Sequence, residues 1–119
     1  MTVRRGDIYW IAPDALRPTV PGLSHPHVVV QDDALNASRI PTVVVCGVSS
    51  QLNRAHEPGN VLLDEGEGEL PRRSLVVVSQ VCVVEKTELG AFVGRLSAKR
   101  VDQVLAGLAF VTRMSARSS

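Results

Sequence analysis

Five stretches of the chain are runs of valine, isoleucine and other apolar residues bounded by glycine, proline or polar clusters. Their length, β-branching and flanks predict strands over 7–12, 27–31, 42–48, 60–64 and 74–84. The last run is long enough to bend or to be shared between two sheets. Towards the C-terminus the period changes. Val101, Val104, Leu105, Leu108 and Val111 recur on one helical face, with Ser97 placed to cap it. That helix is expected to pack on the sheet. Residues 13–24 carry three prolines and a glycine, too irregular for either period, which predicts a long loop of the kind that often carries function. Closely spaced strands followed by one helix predict an α+β fold, a small antiparallel barrel or half-barrel.

Composition narrows this picture. A chain of 119 residues, 45% of them hydrophobic, fits one domain over 1–113 with a frayed tail at 114–119, and can bury a core without disulfide or structural metal. No apolar run approaches the roughly 20 residues that span a bilayer. The basic N-terminus meets Asp7 before any apolar secretory segment, which points to the cytoplasm. Cys46 and Cys82 sit inside valine runs without CxxC spacing and read as buried small hydrophobes. Thirteen cations against twelve acids exclude the strong global field of a histone-like protein but leave room for a local basic patch. Most of the cations are arginine, whose planar fork suits phosphate, and the acids Asp64, Glu65, Glu67 and Glu69 crowd into one segment. Arg72 and Arg73 either balance that segment or lie along a nucleic-acid path or an acidic partner.

The order of motifs is more specific than any one of them. Arg5-Gly6-Asp7-Ile8-Tyr9-Trp10, a loop, Pro26 leading into Val28-Val29-Val30-Gln31-Asp32-Asp33, then Thr42-Val43-Val44-Val45 running to Ser49-Ser50 resembles the MazF/PemK family. So do Pro58-Gly59-Asn60-Val61-Leu62-Leu63, Ser74-Leu75-Val76-Val77-Val78-Ser79-Gln80, and Lys86-Thr87-Glu88-Leu89 followed by Gly94-Arg95-Leu96-Ser97. The resemblance implies the SH3-like barrel shared with the gyrase poison CcdB, a homodimer, and a toxin paired with a small antitoxin. It further implies sequence-selective cleavage of single-stranded RNA without a metal or other cofactor, leaving a 2′,3′-cyclic phosphate and a 5′-hydroxyl. Family enzymes usually carry Arg-Pro at the start of the second strand, where the arginine serves catalysis together with a Thr or Ser at the end of the third. Here His25 precedes Pro26, and Ser49 stands at the Thr or Ser position with Ser50 beside it. Cys82 occupies a place, two residues after Gln80, where an arginine is frequent.

Cleavage through the RNA's own 2′-hydroxyl requires a base for that proton, an acid for the departing 5′-oxygen, and donors for the phosphorane. Histidine, which titrates near about 6.5 when unperturbed, serves as either acid or base, so His25 is a chemically sensible replacement for the arginine. The permanent charge it lacks would then be met by Ser49, a backbone N–H or Arg54. Side chains alternate along a strand, so His25 and His27 share a face if the strand begins early enough, and the two can divide acid and base work. Gln51, Asn53, Arg54 and His56 offer amide, guanidinium and imidazole groups of the kind that read splayed RNA bases, with Arg17, His27 and Gln80 as further contacts. The same residues also read as an ordinary polar loop, and His25 as the end of the proline-rich segment. His25 and His27 have the spacing of a metal pair, with His56 and Asp32 as further ligands, but no metal motif accompanies them. The rival reading is a non-catalytic protein of the same fold that binds RNA or poisons gyrase.

Overall fold

The apolar runs assemble into one antiparallel sheet in the computed structural model, which describes residues 2–12 and 25–113. Its strands are β1 (Asp7–Ile11), β2 (His25–Val29), β3 (Thr42–Ser49), β4 (Val61–Leu63), β5 (Ser74–Glu85) and β6 (Leu89–Arg95), in the spatial order β4-β5-β3-β2-β1-β6. A short helix α1 (Asp33–Asn36) follows β2, and α2 (Ala98–Thr112) follows β6. This is the small SH3-like barrel architecture with its C-terminal helix. The five expected strands are present with shifted ends, β2 starting at His25 rather than residue 27. A sixth, β6, was not among them, because this edge strand carries two glycines and buries only Gly94. The expected loop at 13–24, with Arg17, and the tail at 114–119 lie outside the described residues.

Strand alternation divides the apolar residues between two faces. Ile8, Val28, Val48, Val76 and Val78 pack with Val104 of α2, whose partly buried Val101, Leu105 and Leu108 complete the layer. Tyr9, Ile11, Val29, Val43, Val45 and Val84 form a second cluster on the opposite side. Ser97 caps α2 as expected, its Oγ accepting from the Arg100 N–H at 3.2 Å.

The edges of the sheet are brought together by the acidic turn. The segment after β4 lays Gly68 against Gly94 of β6 so closely that a side chain on Gly94 would collide with the Gly68 backbone, while one on Gly68 would meet Ile8. Arg100 holds this turn from α2, donating to both Glu67 carboxylate oxygens at 2.9 Å and reaching Asp64 at 3.8 Å. The acidic run is therefore answered by the helix arginine, not by the Arg72-Arg73 pair. Arg5-Gly6-Asp7 is likewise structural. Gly6, at φ +96°, makes the turn into β1 while its N–H donates to the Val29 carbonyl at 2.8 Å. Buried Asp7 accepts from Arg95 Nε at 2.7 Å, from the Arg4 N–H at 3.0 Å and from the Tyr9 hydroxyl at 3.4 Å.

Candidate active site

β2 carries His25 and His27 on the same face as Val29, two residues apart in a pleat of period two. The second apolar cluster stops there. Across the sheet His27 stands opposite Tyr9 of β1 and Gly47 of β3, so β3 itself sets no side chain directly beside the imidazole. Beyond Gly47, on the same face of β3, comes Ser49. These residues line a cleft of about 330 Å³ that Gln80 and Cys82 of β5 complete.

Gln80 stands at the edge of an irregularity in the β3–β5 pairing. Cys46 faces Val81, but two residues further along β3 Val48 faces Val76, so two steps on β3 answer five on β5. The three surplus residues bulge, and bulges re-aim side chains. Gln80 lies over Gly47, where a Cβ would stand 2.5 Å from its Oε1. A glycine inside a valine strand was the available signal for such a close approach.

The two histidines have different surroundings. His25 is exposed at the mouth, whereas His27 is 5% exposed. Nδ1 of His27 lies 3.0 Å from the His25 carbonyl oxygen. A carbonyl only accepts, so Nδ1 donates, and in the neutral ring the lone pair sits on Nε2. Burial pushes the pKa of His27 below that of an ordinary histidine, against the raising effect of this bond, and the neighbouring His25 lowers it further. Ser49 Oγ accepts from the Gln51 N–H at 3.0 Å, which leaves its hydroxyl hydrogen for an acceptor in the cleft. Ser50 points elsewhere, into a neighbouring cleft of about 370 Å³ with Trp10, Pro26 and Arg72; His25 borders both.

The polar loop after β3 is not part of the first cleft. Gln51, Asn53, Arg54 and His56 are absent from its lining, and Arg54 is engaged by Glu57, with Nε 2.9 and 3.0 Å from the two carboxylate oxygens. That guanidinium holds the Glu57 carboxyl below the usual range. A second Arg54 nitrogen reaches Ser79 Oγ at 3.4 Å, and Asn60 ties the loop to β5 by donating to the Arg54 carbonyl and accepting from the Val78 N–H. Arg54 thus braces the loop beside the bulge that carries Gln80. Asp32 caps α1, accepting from the Ala34 N–H at 2.8 Å, and its other oxygen lies 3.7 Å from Arg5.

The cysteines separate as well. Cys46 is fully buried, donates to the Val77 carbonyl at 3.2 Å, and has its thiol pushed up to about 12. Cys82 corrects the expectation of two buried hydrophobes: it is only partly buried and lines the cleft, its thiol raised by desolvation.

The cleft on this small barrel thus brings together two histidines, a hydroxyl and an amide, groups that can donate and accept protons. Over residues 4–112 the chain matches the family described as PemK-like, MazF-like toxin of type II toxin-antitoxin system. It is 35% identical over 108 residues to Endoribonuclease MazF6 of Mycobacterium tuberculosis, covering 91% of this chain and 95% of that one. MazF from Deinococcus radiodurans superposes with a TM-score of 0.76 at 16% identity, over 96% of this chain and 99% of that one. A mycobacterial endoribonuclease in complex with its cognate antitoxin superposes with a TM-score of 0.69 at 17% identity, over 92% and 91%. The chain belongs to the PemK-like, MazF-like family of type II toxins.

Proposed function

We propose that this chain is the toxin of a type II pair and a sequence-selective endoribonuclease that cuts single-stranded RNA through its 2′-hydroxyl, without a metal, at the cleft between β2, β3 and β5. The reading rests on one observation above the family membership: His25 and Ser49 line one cleft together with a second histidine and an amide. In the reaction the 2′-oxygen attacks phosphorus, the bond to the 5′-oxygen breaks, and a cyclic phosphate and a 5′-hydroxyl are left. His25, exposed at the mouth, gives a proton to the departing oxygen. The Ser49 hydroxyl and the Gln80 amide donate to the phosphorane oxygens as their charge grows. The chain works as a homodimer in the cytoplasm, restrained by a small cognate antitoxin that covers the cleft. No helix among the described residues is long and apolar enough to cross a membrane.

The test is incubation of the purified, antitoxin-free protein with a long single-stranded RNA in EDTA, with the ends mapped by primer extension, beside His25→Ala and Ser49→Ala. Discrete cuts weakened in both variants are expected. An RNA left intact would turn the reading towards a non-catalytic protein that binds RNA or poisons gyrase.

A further inference from the structure

The ribonuclease reading leaves one role unfilled, the acceptor of the 2′-hydroxyl proton, and the geometry of His27 fills it. A base in this reaction needs a lone pair aimed at the substrate, a neutral resting state and a fixed orientation. The bond from Nδ1 to the His25 carbonyl fixes the ring and leaves the lone pair on Nε2. Among the described residues Nε2 has no hydrogen-bond partner, while the ring lines the cleft. Gly47 opposite adds no side chain of its own beside the ring, and the Gln80 amide lies over that glycine. No carboxylate lines the cleft among the described residues, so nothing there favours the imidazolium. The groups that face His27 are Tyr9 from β1, His25 from its own strand, and Gln80 and Cys82 from β5, while β3 contributes only Gly47 and Ser49. Burial keeps Tyr9 and Cys82 neutral, and a positive charge on His25 opposes a second one on His27.

We propose that His27 Nε2 takes the proton of the attacking 2′-hydroxyl, while His25 delivers a proton to the leaving 5′-oxygen. The O2′–P bond forms as the O2′–H bond breaks, the proton passes to Nε2, and the P–O5′ bond breaks as O5′ gains a proton from His25. One proton enters the protein and one leaves it, so the pair ends with its protonation exchanged. The assignment deepens the ribonuclease reading and rests on it.

The experiment compares the native protein, His27→Gln and His25→Ala on an RNA with one cut site, and on the same RNA with sulfur replacing the bridging 5′-oxygen, a leaving group that needs no acid. His27→Gln is expected to be slower by about 10²- to 10³-fold on both substrates and to lose the acidic limb of kcat/KM. His25→Ala is expected to be slow with oxygen and to recover with sulfur. Native-like affinity of His27→Gln for the uncleavable 2′-deoxy analogue shows an intact cleft. Nitrogen NMR of the native imidazoles supplies a reading free of any variant, with Nδ1 protonated and Nε2 bare at neutral pH. The assignment is overturned by His27→Gln cutting within about threefold of the native rate, by its recovery on the sulfur substrate, or by a proton on Nε2 at neutral pH. If the native protein cuts nothing, the ribonuclease reading falls and takes the assignment with it. Cutting that survives His27→Gln removes the assignment alone.

Discussion

Gln80 lies over Gly47 with no room for a methyl group between them: a Cβ on Gly47 would stand 2.5 Å from Oε1 and 3.2 Å from the Gln80 Cβ. The nearest obstacle is the far end of a flexible side chain, so Gly47→Ala displaces the amide rather than the strand. We expect cutting to fall by about tenfold while stability, read from a urea midpoint, changes by under about 1 kcal/mol. An unchanged rate would remove Gln80 from the site.

His27 also links acid to stability. Its folded pKa lies below the unfolded value, so the unfolded chain binds a proton that the folded one resists. Stability is therefore full above the ordinary histidine value of about 6.5 and drains as pH falls below it. Urea midpoints between pH 7.5 and 5.5 should show this slope in the native protein and lose much of it in His27→Gln. A flat native profile contradicts the prediction. Losses from the depressed carboxyls of Glu57, Glu67 and Asp33 come at lower pH and do not overlap this window.

The two thiols should differ in an alkylation time course followed by mass spectrometry. Cys82 reacts in the folded protein, slowly near neutral pH because its thiol is raised, and its adduct blocks cutting by filling the cleft. Cys46 reacts only after unfolding. Equal labelling of both in the native state would contradict the burial described.

Asp7 is a buried carboxylate with three donors around it. Asp7→Ala should destabilise by about 2–3 kcal/mol, because those donors lose their charged acceptor. Arg95→Ala should cost less, since Asp7 keeps the Arg4 N–H and the Tyr9 hydroxyl as donors. The reverse order in denaturant melts would show that the arginine, not the carboxylate, organises this corner.

How far the chain announced this arrangement depended on where the information was local. Valine runs marked five strands because half-buried pleats select β-branched side chains. β6 escaped because an edge strand with Gly90 and Gly94 has neither a run nor a clean alternation. α1 escaped for a different reason: Asp32-Asp33 at the end of an apolar run reads as loop unless the cap is recognised. That His25 and His27 share a face followed from period two on condition that the strand began early enough, and β2 does begin at His25. Which of them is buried did not, since that depends on Tyr9 and Gly47 arriving from other strands. Gln80 meets Gly47 because β5 pairs with β3 in the register that sets Cys46 opposite Val81, and Cys82 borders the cleft because the second apolar cluster ends there; both are tertiary facts.

Trimming the helix layer should affect folding and not chemistry. Val104, 1% exposed under α2, sits on the face of the sheet away from His27. Val104→Ala should lower stability by about 2 kcal/mol in a urea melt and leave kcat/KM near the native value below the new transition. A matched loss of kcat/KM in the still-folded variant would tie the cleft to the helix.

The sheet thus behaves as a partition wall. One side packs its apolar residues against α2, and the cleft occupies the far end of the other, where the second apolar cluster has given way to glycine and polar groups. A change of side chain at the cleft leaves the α2 face of this wall untouched, so a lineage built on it is free to try new chemistry there while keeping the same house.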